Sequence, residues 1–132
     1  HIKRCEQCCV NIEHWYTKVE NIEQGKIAIV YLIKSLSKGQ TFVLVRSKKN
    51  VSEISDFLNQ NEIQCKGYSS YLSPIEREQT INQFKNHEIK VLVATDVLSR
   101  GIDIPDTFLV INYQIPILML NVKSKNSKKK NF

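Results

Sequence analysis

Val91-Leu92-Val93-Ala94-Thr95-Asp96-Val97-Leu98-Ser99-Arg100-Gly101-Ile102-Asp103-Ile104-Pro105 is the stretch that decides the fold. Its first four residues are apolar, enough for a short buried strand. The apolar run stops at Thr95-Asp96, and Arg100, Gly101 and Asp103 follow within a few residues. In a parallel α/β sheet, ligands gather where the strands end at their carboxyl edge. The residue types gathered there suit a phosphate or a sugar. Thr95 can donate a hydrogen bond, Arg100 offers a charged fork, Gly101 lets backbone approach closely, and Asp103 accepts from hydroxyls.

Working outward, the neighbouring segments alternate between two periodicities. Upstream, Ser73-Pro74-Ile75-Glu76 has the form of a capping box with proline at the first helical position. It predicts a helix to about Lys85 with Ile81 and Phe84 facing in. Ile63 to Lys66 reads as a brief strand, and Val51, Ile54, Phe57 and Leu58 mark a helix ending near Gln60. Thr41-Phe42-Val43-Leu44-Val45 is a continuous apolar run rich in β-formers, hence a buried strand. Ile22, Ile29, Leu32, Ile33 and Leu36 recur at helical spacing. Gly25 interrupts this pattern, so the firm helix is expected from about Lys26 to Gly39. Glu6 to Ile12 is a weak opening strand, and Glu13 to Val19 have mixed polarity. Downstream, Thr107 to Asn112 reads as a last strand. Short apolar strands between helical patterns predict an α/β fold, a parallel β-sheet with helices on both faces. After Pro116 the pattern fails. Residues 1–116 are expected to form the domain and residues 117–132 a lysine-rich, disordered tail.

The bulk numbers bound the partners. A chain of 132 residues is one domain with enough length to bury a core. Its net charge of +6 favours an anionic partner, nucleic acid first. Lys123, Lys125, Lys128, Lys129 and Lys130 carry much of that excess, so the body is only mildly basic. No apolar run reaches the length of a membrane span and nothing reads as a secretory signal, which argues against a membrane partner. Cys5 and Cys8 form one C-x-x-C, but two further ligands at zinc spacing are lacking, and no metal is expected. Cys8 and Cys9 read as small apolar strand residues in a reducing, intracellular setting, nuclear or cytoplasmic. A first residue of His1 rather than Met predicts a fragment or a processed chain.

Ala94-Thr95-Asp96 followed by Arg100-Gly101-Ile102-Asp103 closely resembles motif V of the DEAD-box ATP-dependent RNA helicases, in their C-terminal (second) RecA-like domain. The resemblance runs from about Gln7 to Pro116. Phe42 to Val51 looks like motif IV, a strand followed by residues that touch RNA phosphates. Ser73 to Phe84 resembles the helix carrying the Gln-x-x-Arg motif, with Arg77 at the arginine and Pro74 in place of the glutamine. Ser69-Ser70-Tyr71 stands where the family shows His-Gly-Asp. Val110 to Pro116 looks like the family's Val-Ile-Asn-Tyr-Asp-hydrophobic-Pro strand, with Gln114 replacing the acid.

The resemblance implies a RecA-like, P-loop-NTPase-type helicase domain that supplies RNA-backbone contacts and one wall of an interdomain ATP site. RNA would meet Arg46, Ser47, Lys48, Arg77, Thr95, Arg100 and Gly101, and ATP would meet Gly101 and Asp103. ATP and Mg2+ belong to the complete two-domain enzyme, whose N-terminal RecA-like domain carries the P-loop and the Asp-Glu-Ala-Asp motif. Neither of those motifs is in this sequence, and no arginine follows Arg100, so the arginine-rich motif VI is also missing. The chain alone is therefore expected to be inactive in ATP hydrolysis, since that motif's arginines stabilise transition-state charge. The alternative is a non-catalytic RNA-binding or interaction module derived from such a domain.

Overall fold

The computed structural model describes residues 2–5, 12–36, 39–95, 100, 107–114 and 117–123. Seven strands and three helices lie along the described chain: β1 (Ile2–Cys5), β2 (Ile12–Lys18), α1 (Ile22–Leu36), β3 (Gln40–Val45), α2 (Lys48–Gln60), β4 (Cys65–Tyr68), α3 (Pro74–Lys85), β5 (Val91–Thr95), β6 (Thr107–Gln114) and β7 (Ile117–Lys123). The strands form one sheet in the order β1-β2-β7-β6-β3-β5-β4. β6, β3, β5 and β4 are parallel, and α2 and α3 are the crossovers that join β3 to β4 and β4 to β5. β7, β2 and β1 extend the sheet as antiparallel strands.

Alternation along the strands sends their side chains to two helical layers. Val43, Val45, Val91, Val93, Leu109, Ile111 and Tyr113 pack with Ile29, Leu32 and Ile33 of α1 and with Val51, Ile54 and Leu58 of α2. The intervening residues Phe42, Leu92 and Ala94 meet Phe84 of α3 on the opposite face. Helices therefore cover both faces, as the apolar runs predicted. β3 and β5 pair along their whole length, from Thr41 opposite Val91 to Val45 opposite Thr95. Their side chains are almost wholly buried because helices stand above and below them.

Three sequence expectations shift. Gly25 lies inside α1 instead of delaying it, and it is buried. A Cβ there would come within 2.6 Å of the Tyr113 ring, so the missing side chain makes room for β6 against the helix. The strand expected at Ile63 begins two residues later, at Cys65. Glu62 takes a left-handed conformation (φ 63°), and its amide and that of Ile63 close back onto the carbonyls of Asn59 and Leu58. Ile63 is thus the buried residue of a Schellman helix end and not a strand residue. The same motif ends α3, where His87 is left-handed and His87 and Glu88 donate to Phe84 and Gln83.

The third shift concerns the sheet's antiparallel end. Glu13 to Val19, read as mixed, falls mostly in β2, and the expected first strand at Glu6 overlaps this element only at Ile12. Residues 6–11 lie outside the described ones, as do 124–132. The tail expected from residue 117 instead continues the sheet: Ile117–Lys123 pair with β6 on one side and β2 on the other. Backbone pairing on both sides supplies what the short Ile117-Leu118-Met119-Leu120 run could not signal alone.

Candidate nucleic-acid interface

The carboxyl ends of the parallel strands fall nearly in line. Val45 is level with Thr95 across β3 and β5, and Tyr68 is level with Ala94 across β4 and β5. Strands sit about 4.8 Å apart, so the ends of β3 and β4 are separated by roughly 10 Å. Arg46, Ser47 and Lys48 leave the first end, Thr95 stands at the second, and Ser69 to Leu72 turn away from the third.

Each local sequence explains its geometry. Ser47 is extended (φ −137°, ψ 161°) and caps α2: its Oγ accepts from the Asn50 amide at 3.3 Å and lies 3.0 Å from Asn50 Oδ1. That cap stops β3 and sets Arg46 and Lys48 as exposed cations at the start of the helix. The Lys48 ammonium lies 4.9 Å from the centre of the Tyr71 ring, which ties the β3 end to the β4 end by a cation–π contact.

Beyond β4, a turn is fixed by three bonds. The amide of Tyr71 donates to Ser69 Oγ at 3.2 Å, that of Leu72 to the Ser69 carbonyl at 3.1 Å, and Arg77 Nε to the Leu72 carbonyl at 3.2 Å. Ser73 then caps α3 by the expected capping box: its Oγ accepts from the Glu76 amide and its amide donates to the Glu76 carboxylate at 2.9 Å. Those bonds from Ser73 hold the Glu76 carboxyl below its ordinary value.

The structure places the expected site residues unequally. Arg46, Ser47, Lys48, Thr95 and Arg100 are at strand ends or in the turn beyond β5, with Arg100 exposed and Thr95 buried. Arg77 is half-buried beneath the Ser69–Leu72 turn. It lines an open cleft of about 510 Å³ with Tyr68, Glu78, Ile81, Asn82 and Lys85. Gly101 and Asp103 lie outside the described residues. Ser47 already uses its hydroxyl to cap α2, so its first role is to hold its charged neighbours in place. Sequence reasoning missed Tyr71, which it took only as a departure from a motif. The available signal was an aromatic residue in a polar turn near a run of cations.

The helicase conserved C-terminal domain family matches residues 24–129. The chain is 34% identical over 119 residues to DEAD-box ATP-dependent RNA helicase 38 of Oryza sativa subsp. japonica, covering 88% of this chain and 23% of that protein. It is 31% identical over 105 residues to ATP-dependent RNA helicase SrmB of Escherichia coli (strain K12), covering 80% and 24%. The chain thus spans about a quarter of the length of these relatives.

Among solved structures, the C-terminal domain of the DEAD-box protein Dbp5 superposes with a TM-score of 0.67 at 28% identity, covering 75% of this chain and 55% of that one. A DEAD box protein from the hyperthermophile Methanococcus jannaschii gives 0.66 at 33% identity, covering 75% and 27%. S. cerevisiae Dbp5 bound to RNA and ADP BeF3 gives 0.67 at 28%, covering 75% and 25%. The chain belongs to the helicase conserved C-terminal domain family, and within it to the RecA-like C-terminal domains of DEAD-box RNA helicases.

Proposed function

We propose that this domain is the RNA-gripping second half of an ATP-dependent RNA helicase. The observation that carries the reading is the row of strand ends, where the exposed cations Arg46 and Lys48 share one edge with Thr95, and the exposed Arg100 follows β5 in the chain. Cations fixed at strand ends hold a phosphate backbone without reading its sequence. Arg46, Lys48 and Arg100 take the charge of the RNA, while Ser47 and Thr95 shape the edge that presents them. Arg77 supports the neighbouring turn and meets RNA at the margin of the cleft.

The sequence motif assigns the wall of the ATP site to the segment after Thr95. There Asp103 accepts from the ribose hydroxyls and Gly101 gives the backbone close approach. An N-terminal RecA-like domain supplies the P-loop and the Mg2+ ligands, and ATP binds in the cleft between the two domains. This chain by itself binds RNA without turning over ATP, since it holds no P-loop pattern and no arginine beyond Arg100.

The test is a titration of this chain with single-stranded RNAs of unrelated sequence, before and after Arg100→Ala. Loss of a phosphate contact weakens all sequences alike and reduces the salt slope by about 0.7 for a single strand. A loss confined to some sequences, or no loss at all, contradicts the reading.

A further inference from the structure

Tyr71 is 68% exposed, and Ile75, at the second position of the following helix, is 70% exposed. Large apolar side chains at such exposure are unremarkable when scattered over a surface. Tyr71 differs in how it is held. Ser69, itself buried, fixes the Tyr71 amide, and the Leu72 carbonyl beside it is pinned by Arg77, so the ring stands on a turn with little backbone freedom. Lys48 stands 4.9 Å from the ring centre, and the remaining ring surface is open to solvent. The turn that carries the ring leaves the sheet after Tyr68 at the end of β4, and that strand end is roughly 10 Å from the end of β3 where Arg46 and Lys48 begin. A flat aromatic surface beside phosphate-seeking cations is the arrangement that binds unpaired nucleic-acid strands.

We propose that Tyr71 is a stacking platform for one unpaired nucleobase of the RNA strand whose phosphates lie along Arg46 and Lys48. The inference rests on the RNA-gripping reading of this edge and adds a base contact to its backbone contacts. Stacking is tolerant of sequence because every base presents a π-face, so the platform strengthens binding to single strands without selecting among them. Lys48 sits between the two functions, near the ring on one side and available to the backbone on the other. The partner that fits is single-stranded RNA. A duplex, whose bases are already stacked, gains nothing from the ring.

The experiment compares two ligands of equal length and charge, a single-stranded RNA and its abasic ribose-phosphate counterpart. The chain is expected to bind the base-containing strand about five- to tenfold more tightly, the lower part of the range for one stacked base. Tyr71→Ala removes that preference and leaves the abasic affinity intact, Tyr71→Phe keeps the preference, and Lys48→Ala weakens both ligands together. A 2-aminopurine in the strand gives a readout on the unsubstituted chain, because its fluorescence is quenched on stacking. If Tyr71→Ala changes neither affinity, or lowers both alike, or if the 2-aminopurine signal does not move, the platform is overturned while the backbone reading stands. If the unsubstituted chain binds neither strand, both fall. A Tyr71 that instead serves a protein partner shows itself as unchanged RNA binding.

Discussion

On one face of the sheet, α1 and α2 bury Ile29, Leu32, Ile33, Val51, Ile54 and Leu58 against the parallel strands. On the other, α3 brings Phe84 onto Phe42, Leu92 and Ala94, with Ile89 beside them. Phe84 is fully buried, and its ring lies 6.5 Å from that of Phe42 at 51°. Polar bonds supplement this smaller core. Gln40, itself buried, donates to the carbonyls of Phe84 and Ile89, and the capping box fixes the start of α3. The broad apolar face holds the sheet. The narrow one holds the Ser69–Leu72 turn and its arginine in place beside the binding edge. Both faces thus serve the binding edge, the broad one through Ser47 and Lys48 at the start of α2 and the narrow one through Arg77 and the turn that holds Tyr71.

The largest expected effect breaks the narrow face. Phe84→Ala should cost about 3–5 kcal/mol by urea denaturation and should weaken RNA binding in the fraction that stays folded, because α3 carries Arg77. Leu32→Ala on the broad face should cost about 2–5 kcal/mol yet leave the affinity of the folded chain unchanged. Equal effects of the two on RNA binding would erase the functional contrast between α1 and α3.

A smaller loss tests how closely α1 meets β6. Gly25→Ala places a methyl 2.6 Å from a ring atom of Tyr113, which is itself buried, and overpacking of this kind costs about 1–3 kcal/mol. A variant as stable as the parent would show that β6 and α1 can separate freely.

The smallest effects separate the faces by pH. Glu76 serves the narrow face, with its carboxyl lowered by the bonds from Ser73. A lowered carboxyl adds stability above the ordinary value near 4.3, and that stability is lost as pH falls through the folded value. Tyr113 serves the broad face. Burial first, then Glu53 and Glu23, raise its hydroxyl above its ordinary value, and the hydroxyl donates to the Ile22 carbonyl at 3.3 Å. Its contribution is complete below about pH 10 and is lost as pH rises through the folded value. Melting temperatures across pH should therefore show a flatter acid limb for Glu76→Gln and a flatter alkaline limb for Tyr113→Phe. Any exchange of those limbs contradicts the assignment.

Much of this was legible in the sequence where the signal was local. Ser73-Pro74-Ile75-Glu76 specified its own helix start, and Val91 to Ala94 specified a buried strand because both faces of it are apolar, a strand that extends one residue further to Thr95. What escaped was decided at a distance. Gly25 reads as a helix breaker until Tyr113, far along the chain, occupies the space it leaves. β7 becomes a strand because β6 and β2 flank it. Through the end of β2 and the residue after it, Trp15, Thr17 and Val19 alternate with the exposed Tyr16 and Lys18, a period-two pattern masked by its polar members. At the site, motif resemblance named the cations and missed Tyr71, whose place beside Lys48 is a contact between two strand ends and not a pattern in the chain.

The most direct measurement is amide chemical-shift mapping of the 15N-labelled chain during titration with single-stranded RNA. The account predicts perturbations grouped at residues 46–48, 69–72, 77, 95 and 100, with the α1 surface silent. Perturbations centred on α1 or on the β1 edge, or none at all, would contradict the assignment of RNA to the carboxyl edge of the parallel strands.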